Sequence, residues 1–448
     1  MNLASSSLNP CRMIKRRSRQ GITLIEVMIA VALTLVIVAA MIRAFAVTGD
    51  SISEGRARMD MHNKIRVVVE KLRRDLQNTT RIPNPRSTSD GYLTIIEGEE
   101  TDAEHATDAI SFIGDHDDYL LLTVRSEDEP FRGRFVDASG AVLTVESYLA
   151  EVIWWVEQTG SDGFDGQFRL HRRELLIRPD LATGVLAADI DTFFQNNDIS
   201  VRVDGTGLSM NSLSDLTLRQ NRFAHDPALF PHELDPSVVS DRILGGSVEG
   251  FDVMLDDCVA FDIKVFDPTA EAFDPDPTLA ATNPLVVTQQ VIEYDDPGFE
   301  DPNTTADLVG TFDPSVAANA SSYGQVGSYV NLGYDAASRG GIRPIFNNDR
   351  WFAGDPFTNN YTWNNYTYCT WWNGYESDGI DQDTDGLFDE GVDGVDNDAT
   401  SGIDDNDERE TAPPYAYPVR AIEVRIRMIE RNTAQVLQQS VRESFVMN

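Results

Sequence analysis

The stretch GITLIEVMIAVALTLVIVAAMI occupies residues 21–42 and decides how the chain begins. Its residues 22–42 are apolar except for Thr23, Glu26 and Thr34. A helix of this length measures about 32 Å at ~1.5 Å per residue, enough to cross a hydrocarbon core of about 30 Å. We therefore expect residues 22–42 to span a lipid bilayer once.

The charges on the two sides of this apolar run differ in sign. The basic cluster RMIKRRSRQ at residues 12–20 precedes it, whereas the whole chain carries a formal net charge of -37. By the positive-inside rule, the N-terminus is expected in the cytoplasm and the acidic bulk on the other side of the membrane, as in a single-pass protein. The same negative charge repels phosphates, so we expect no nucleic-acid partner.

Glu26 is the one acidic residue inside the apolar run. A carboxylate in a spanning helix costs about 2.5–3.5 kcal/mol on insertion scales, and such a residue usually has a partner. A secretory signal peptide or a plain membrane anchor also combines basic residues with an apolar run. Neither alternative explains the glutamate, and a signal peptide has a shorter apolar core.

The heptapeptide GITLIEV at residues 21–27 resembles the class III leader of type IV pilins and pseudopilins. The resemblance implies that residues 1–21 are a leader peptide, which prepilin peptidase removes between Gly21 and Ile22 before methylating the new N-terminus. It also implies that Glu26 serves assembly. The family usually has Phe where this chain has Ile22. In a polymer, the new amine of one subunit can pair with Glu26 of its neighbour, which offsets the desolvation of both charges.

Beyond the apolar run, the pattern becomes amphipathic and predicts that one helix extends over residues 22–80. Apolar side chains recur at helical spacing, which places them on one face. They are Ile65, Val68, Val69, Leu72 and Leu76. Pro83 and Pro85 then stop the helix.

Segments of alternating polarity then predict strands. These segments are 109–112, 119–124, 141–145, 151–156, 168–177, 256–267, 418–430 and 436–448. In the fourth, Val152, Trp154 and Val156 share one face, which predicts an antiparallel sheet buried on one side. The segments around Trp154 and His171 predict one hairpin, and the last two strands predict another.

The order of these elements resembles the J-type minor pseudopilin of type II secretion and the W-type minor pilin of type IV pili. The resemblance implies that strand 259–266 lies beside strand 420–428. It divides the rest of the chain into a β-rich head at 81–267, an insertion at 268–417 and a C-terminal hairpin at 418–448. The expected fold class is α+β, with the long helix packed on an antiparallel head that carries a large, calcium-loop-containing insertion.

The resemblance also implies a function. It describes a minor pseudopilin, a structural subunit of the tip or initiation complex of a type II secretion pseudopilus, and not an enzyme. Its expected partners are prepilin peptidase, other pseudopilins or minor pilins, an inner-membrane assembly platform with its ATPase, and the bilayer through residues 22–42. The alternative is a type IV pilus minor pilin with an adhesive or ligand-binding head. The sequence contains no HExxH, GxSxG or P-loop motif.

Acidic loops at residues 378–408 repeat the pattern DG[IV]D, at Asp378 and Asp393. Calcium prefers oxygen ligands at alternating positions of a tight loop with a turn glycine. One expected ligand is the backbone carbonyl of Leu387. The other expected ligands are the carboxylates of Asp381, Asp383, Asp385, Asp389, Asp393, Asp396, Asp398, Asp404 and Asp407. Val392 occupies the twelfth position of the loop, where a calcium-binding loop normally has an acidic residue that binds through both carboxylate oxygens. Glu390 or Asp393 would have to provide this ligand instead. The alternative is a solvated acidic linker.

Two further features of the insertion leave alternatives open. Residues 351–375 are rich in aromatic side chains, which form either a small core or an exposed platform for sugars, and we favour the core. Cys258 and Cys369 are 111 positions apart (369 − 258), without diagnostic spacing, so their pairing stays open.

Overall fold

The described residues of the computed structural model are 23–84, 90–98, 113–137, 139–159, 167–225, 236–273, 323–332, 367–381, 386–397, 402–404, 408–410, 415, 417–431, 433 and 435–445. Their helices are α1 (Leu24–Gln77), α2 (Ile190–Asn196) and α3 (Pro236–Asp241). Their strands are β1 (Leu93–Ile96), β2 (Tyr119–Arg125), β3 (Phe131–Val136), β4 (Val142–Ser147), β5 (Leu149–Thr159), β6 (Gln167–Leu176), β7 (Val201–Asp204), β8 (Gly207–Met210), β9 (Val253–Asp256), β10 (Cys258–Phe273), β11 (Tyr323–Val330), β12 (Thr367–Cys369), β13 (Ala421–Glu430) and β14 (Gln435–Ser444). The chain divides into two compact units, 1–59 and 60–448, and α1 contributes to both.

Helix α1 ends at Gln77, slightly before the predicted limit at residue 80. The reason is that the next residues already pair with β2. Thr79 forms an isolated bridge with Val124, and the backbone N–H of Thr80 donates to the carbonyl of Thr123 at 2.8 Å. Backbone groups that bond to a strand cannot also extend the helix.

The C-terminal part of α1, within the second unit, buries the predicted apolar face. Its buried side chains are Met61, Ile65, Val68, Val69, Leu72 and Leu76. Fully burying one such side chain contributes about 1.5–3 kcal/mol. They join a hydrophobic core with apolar residues of two sheets, such as Val152 and Ile426. The predicted amphipathic stripe is therefore confirmed.

The first sheet has the strand order β12-β1-β2-β5-β6-β9 among the described residues, and its neighbours are antiparallel. The predicted hairpin is its centre, where Trp154 of β5 lies opposite Arg172 of β6. The prediction that this sheet is buried on one side only is wrong. Val152 and Trp154 face the core shared with α1, whereas Ile153 and Trp155 face a second core with Phe194 of α2, so both faces are covered.

The second sheet has the order β11-β10-β13-β14 in the described part of the chain. The predicted pairing of strand 259–266 with strand 420–428 is confirmed, because Ile263 of β10 lies opposite Val424 of β13. The C-terminal hairpin is confirmed as well, with Val424 opposite Val441 of β14. Strands that are far apart in sequence thus complete one sheet.

Two strands between residues 268 and 417 extend these sheets. Strand β11 pairs with β10 through Val330 and Val265, and β12 pairs with β1 through Tyr368 and Ile95. The interval therefore supplies one outer strand to each sheet. The division of the chain at residues 267 and 417 stays a prediction, and the predicted strand 109–112 lies outside the described residues.

Candidate functional site

Two turns of the acidic segment 378–408 share one hydrogen-bond pattern. In the first, the backbone N–H of Gly379 donates to both carboxylate oxygens of Asp389, at 3.0 and 3.1 Å. In the second, the backbone N–H of Gly394 donates to Oδ1 of Asp404 at 2.7 Å. The second glycine and the second aspartate each lie 15 positions after the first (394 − 379 and 404 − 389), so the DG[IV]D repeat in the sequence is also a repeat in structure.

The start and the end of each turn also correspond. Oδ1 of Asp378 accepts the backbone N–H of Ile380 at 3.0 Å, and Oδ1 of Asp393 accepts that of Val395 at 2.7 Å. At the other end, Asp389 and Asp404 both adopt the left-handed conformation, with φ of 53° and 52°. Aspartate and asparagine tolerate this conformation better than most residues. The repeated aspartates therefore shape the turns.

Two buried glutamates accept hydrogen bonds from the backbone of the two turns. The sequence pattern did not indicate these glutamates. Glu410 accepts the backbone N–H of Asp389, and Glu408 accepts that of Asn397. The backbone N–H of Glu410 in turn donates to Oε2 of Glu376 at 3.1 Å. Since Glu408 and Glu410 are buried, these acids act as anchors for the backbone.

The predicted calcium ligands are only in part within the described residues. Asp381, Leu387, Asp389, Asp393, Asp396 and Asp404 are described; Asp383, Asp385, Asp398 and Asp407 lie outside. Oδ2 of Asp381 accepts the N–H of Gly386 at 3.1 Å. Because each carboxylate oxygen has two lone pairs, an oxygen that accepts an N–H can still ligate a cation.

The described part of the aromatic segment packs inward. Tyr368, Trp371 and Tyr375 are buried, and the hydroxyl of Tyr368 donates to the carbonyl of Pro83 at 2.9 Å. The guanidinium of Arg219 lies 5.2 Å from the centre of the Trp371 ring. These contacts favour the core interpretation for residues 367–375.

Cys258 and Cys369 are free thiols in the structure. Cys258 and Cys369 are both buried, in different hydrophobic clusters. Burial raises the pKa of the Cys258 thiol to about 12, so this thiol stays protonated at neutral pH.

At the N-terminal end of α1, Thr23 and Glu26 form a reciprocal cap. The backbone N–H of Glu26 donates to Oγ1 of Thr23 at 3.3 Å, and the backbone N–H of Thr23 donates to Oε2 of Glu26 at 3.2 Å. This is the capping box that Ser or Thr followed three residues later by Glu or Gln forms at helix starts. Glu26 therefore already has a structural role within one chain.

The first part of α1 leaves its apolar side chains uncovered. Residues 23–49 are exposed, including large side chains such as Leu24, Ile25 and Phe45. Among the described residues, one helix is long and apolar enough to cross a membrane, and it is α1. A predominantly apolar exposed surface of this length suits lipid rather than water.

Residues 16–42 match the family model described as the prokaryotic N-terminal methylation motif. The match supports a type IV pilin-like protein. Comparisons with curated proteins and with solved structures found no match. The pilin-like motif covers the predicted cleavage position and Glu26, whereas the head is outside it.

The pilin-like motif has consequences for processing and location. It implies cleavage by prepilin peptidase and assembly with other pilins, and the motif's family is structural rather than enzymatic. Together with the apolar helix, it fits a single-pass, membrane-anchored pilin-like protein. Gly21 and Ile22, the predicted cleavage residues, lie outside the described residues.

Proposed function

We propose that the chain is a minor pseudopilin, a structural subunit of the tip or initiation complex of a type II secretion pseudopilus. The observation that carries this proposal is the N-terminal methylation motif at residues 16–42, placed at the start of a long helix that leads into an antiparallel head. The pairing of β10 with β13 supports the likeness to J-type subunits, which implied it.

In this proposal, each part of the chain has a mechanical task. The N-terminus lies in the cytoplasm, α1 anchors the precursor in the inner membrane, and the head lies in the periplasm. Cleavage after Gly21 exposes the amine of Ile22, which pairs with Glu26 of a neighbouring subunit. A membrane platform and its ATPase then extract the subunit from the bilayer, and the head, which has no catalytic task, selects its neighbours.

Co-expression with candidate partners tests the proposal. We expect the full-length protein to cross-link and co-purify with the minor pseudopilins of a type II secretion system from the same genome, and its deletion to stop secretion. Incorporation into an extracellular pilus without any effect on secretion would contradict the proposal and favour the adhesive minor pilin instead.

Valine in place of Gly21 is expected to block processing, because a branched side chain occupies the position next to the cleaved bond. The precursor then keeps residues 1–21, whereas the mature wild-type chain begins with methylated Ile22. Gly49→Val is the matched control, since an added Cβ at Gly49 has no neighbour within 4 Å. Intact-mass spectrometry measures both. A mature chain that starts elsewhere than Ile22 would contradict the proposed processing.

We further propose that the acidic loops bind calcium, because carboxylates alternate with other residues in their sequence and the described residues form two turns of the same design. Calcium is expected to raise the melting temperature and protease resistance of the full-length protein in detergent, and EDTA to reverse both changes. Asp389→Asn and Asp404→Asn keep an oxygen acceptor and tolerate the left-handed backbone, but remove a charge.

These two variants are expected to weaken calcium binding by about tenfold or more, the cost of losing even an indirect partner of a metal site. Asp128→Asn changes the same charge at an exposed position elsewhere and serves as the control. Isothermal titration calorimetry gives the affinities. Equal calcium affinity in the loop variants and the control would exclude these turns as the calcium site.

A further inference from the structure

A second group of carboxylates lies inside the head, at a distance in sequence from the acidic loops. Glu97 follows β1, and Asp115 and Asp118 precede β2. One carboxylate oxygen from each of the three residues lies within 4.8 Å of the others. The three side chains are at most 3% exposed, so water does not separate their charges.

Backbone N–H groups from different segments hold two of these carboxylates in place. Oδ1 of Asp118 accepts the N–H of Gly98 at 3.1 Å, and its Oδ2 accepts that of Ile263 in β10 at 2.6 Å. Oε2 of Glu97 accepts the N–H of Leu332, just after β11, at 3.3 Å. The cluster therefore lies where β1, β2, β10 and β11 converge.

The described charged residues around this point are mostly acidic. Asp117 and Asp262 add to the field, and burial together with these neighbours raises the pKa of Asp118 well above its usual range. Two cations of the described residues, Lys264 and Arg425, lie 3.8 and 3.7 Å from Asp262. Buried carboxylates of this kind are stable when they are paired or ligate a metal ion.

Asn331 provides an independent indication of a ligand. It is 4% exposed, and its Oδ1 has no hydrogen-bond partner in the part of the chain that the structure describes. Asn331 stands between Val330, which pairs with Val265, and Leu332, which donates to Glu97. Extending the register of β10 and β11 by one residue beyond the Val330–Val265 pair would place Asn331 opposite Lys264, on the face of the sheet that carries Asp262. This register would bring a buried amide oxygen to the side of the sheet that carries Asp262, whose charge acts on Asp118.

We propose that Glu97, Asp115 and Asp118 bind a divalent cation, with the amide oxygen of Asn331 as a further ligand. The donor set consists of oxygens alone, which hard cations prefer. Calcium–oxygen distances of about 2.3–2.6 Å put ligand oxygens on opposite sides of the ion up to about 5 Å apart, which agrees with three carboxylate oxygens that lie within 4.8 Å of one another. The ion joins the ends of β1 and β11 to β2 and β10. This site is independent of the acidic loops and of the proposed secretion role.

The test uses the full-length protein in detergent micelles after removal of metal by EGTA, with Asp389→Asn and Asp404→Asn as a common background. Calcium is added back, and bound calcium per chain is measured by elemental analysis together with the melting temperature. Asp115→Asn preserves the shape of one ligand and removes its charge. Asp128→Asn, at an exposed position, is the matched control.

Asp115→Asn is expected to bind one calcium ion fewer per chain than the background and the control. In EGTA its melting temperature is expected to be higher than that of the background, because one of the repelling charges is gone, and calcium is expected to raise it less. Glu97→Gln is measured in parallel, so that a folding failure of one variant does not decide the result. Unchanged calcium stoichiometry in a folded Asp115→Asn or Glu97→Gln variant would overturn the proposal.

Discussion

Glutamine in place of Glu26 is expected to leave cleavage after Gly21 intact and to abolish entry of the subunit into the polymer. The physical reason is the cost of charge at bilayer depth. The carboxylate costs about 2.5–3.5 kcal/mol in a spanning helix, and the amine of Ile22 is a second charge in the same layer. Pairing the two across subunits offsets both costs, whereas glutamine leaves the amine without its counter-charge.

The capping box at Thr23 gives Glu26 a competing role, and the choice of substitution separates the two. Glutamine at the third helical position can also complete a capping box, so Glu26→Gln keeps the cap and loses the charge. Thr23→Ala does the reverse, and losing a cap costs about 0.5–2 kcal/mol. If the charge matters, Glu26→Gln fails to assemble and Thr23→Ala assembles.

Site-specific cross-linking between subunits, with co-expressed partners, measures assembly, and intact-mass spectrometry confirms that each variant is processed. The opposite pattern, with normal assembly of Glu26→Gln and a defect in Thr23→Ala, would show that Glu26 acts only as a helix cap. In that case the inter-subunit pairing has to be abandoned.

Alanine in place of Asp75 is expected to destabilise the head by about 3–5 kcal/mol, the cost of breaking a buried ion pair by removing one partner. Asp75, on α1, is 3% exposed. Its Oδ2 accepts Nε1 of Trp154 at 2.9 Å and Nε of Arg172 at 2.6 Å, and its Oδ1 accepts Nη2 of Arg172 at 2.8 Å. The substitution leaves a buried guanidinium without this bidentate partner, and among the described residues Glu174 remains as its ion-pair partner.

Glu70→Ala is the matched control on the same helix. Glu70 is exposed and lies 3.5 Å from Arg73 and from Arg74, and exposed pairs of this kind contribute about 0–1 kcal/mol. Urea unfolding followed by tryptophan fluorescence gives both free energies of unfolding. The double variant Asp75→Leu with Arg172→Met is expected to recover most of the loss, since it removes both charges. A loss below 1 kcal/mol for Asp75→Ala would mean that this ion pair does not hold the helix on the sheet.

Local patterns were sufficient for the parts of the fold that depend on neighbouring residues. The stripe from Ile65 to Leu76 and the hairpin around Trp154 each have a periodicity that is typical of one kind of element, and the apolar run at 22–42 has the length of a membrane-spanning helix. The twin acidic turns were visible in the same way, because Asp378 and Asp393 begin copies of one short motif. Their buried anchors Glu408 and Glu410 were not, because burial has no local signature.

The sequence by itself determined a membrane-anchoring helix with a pilin-like start, an amphipathic continuation, and strands that pair with their neighbours. Only the tertiary structure decided that β5 is buried on both faces, that β11 and β12 extend the two sheets, and that Glu97, Asp115 and Asp118 meet at one point. Periodicity reports which side of an element is apolar, but not which distant segment covers it. Contacts between residues as far apart as 97 and 332 depend on how the layers pack. The packing energy is distributed over many side chains, so no single sequence motif specifies these contacts.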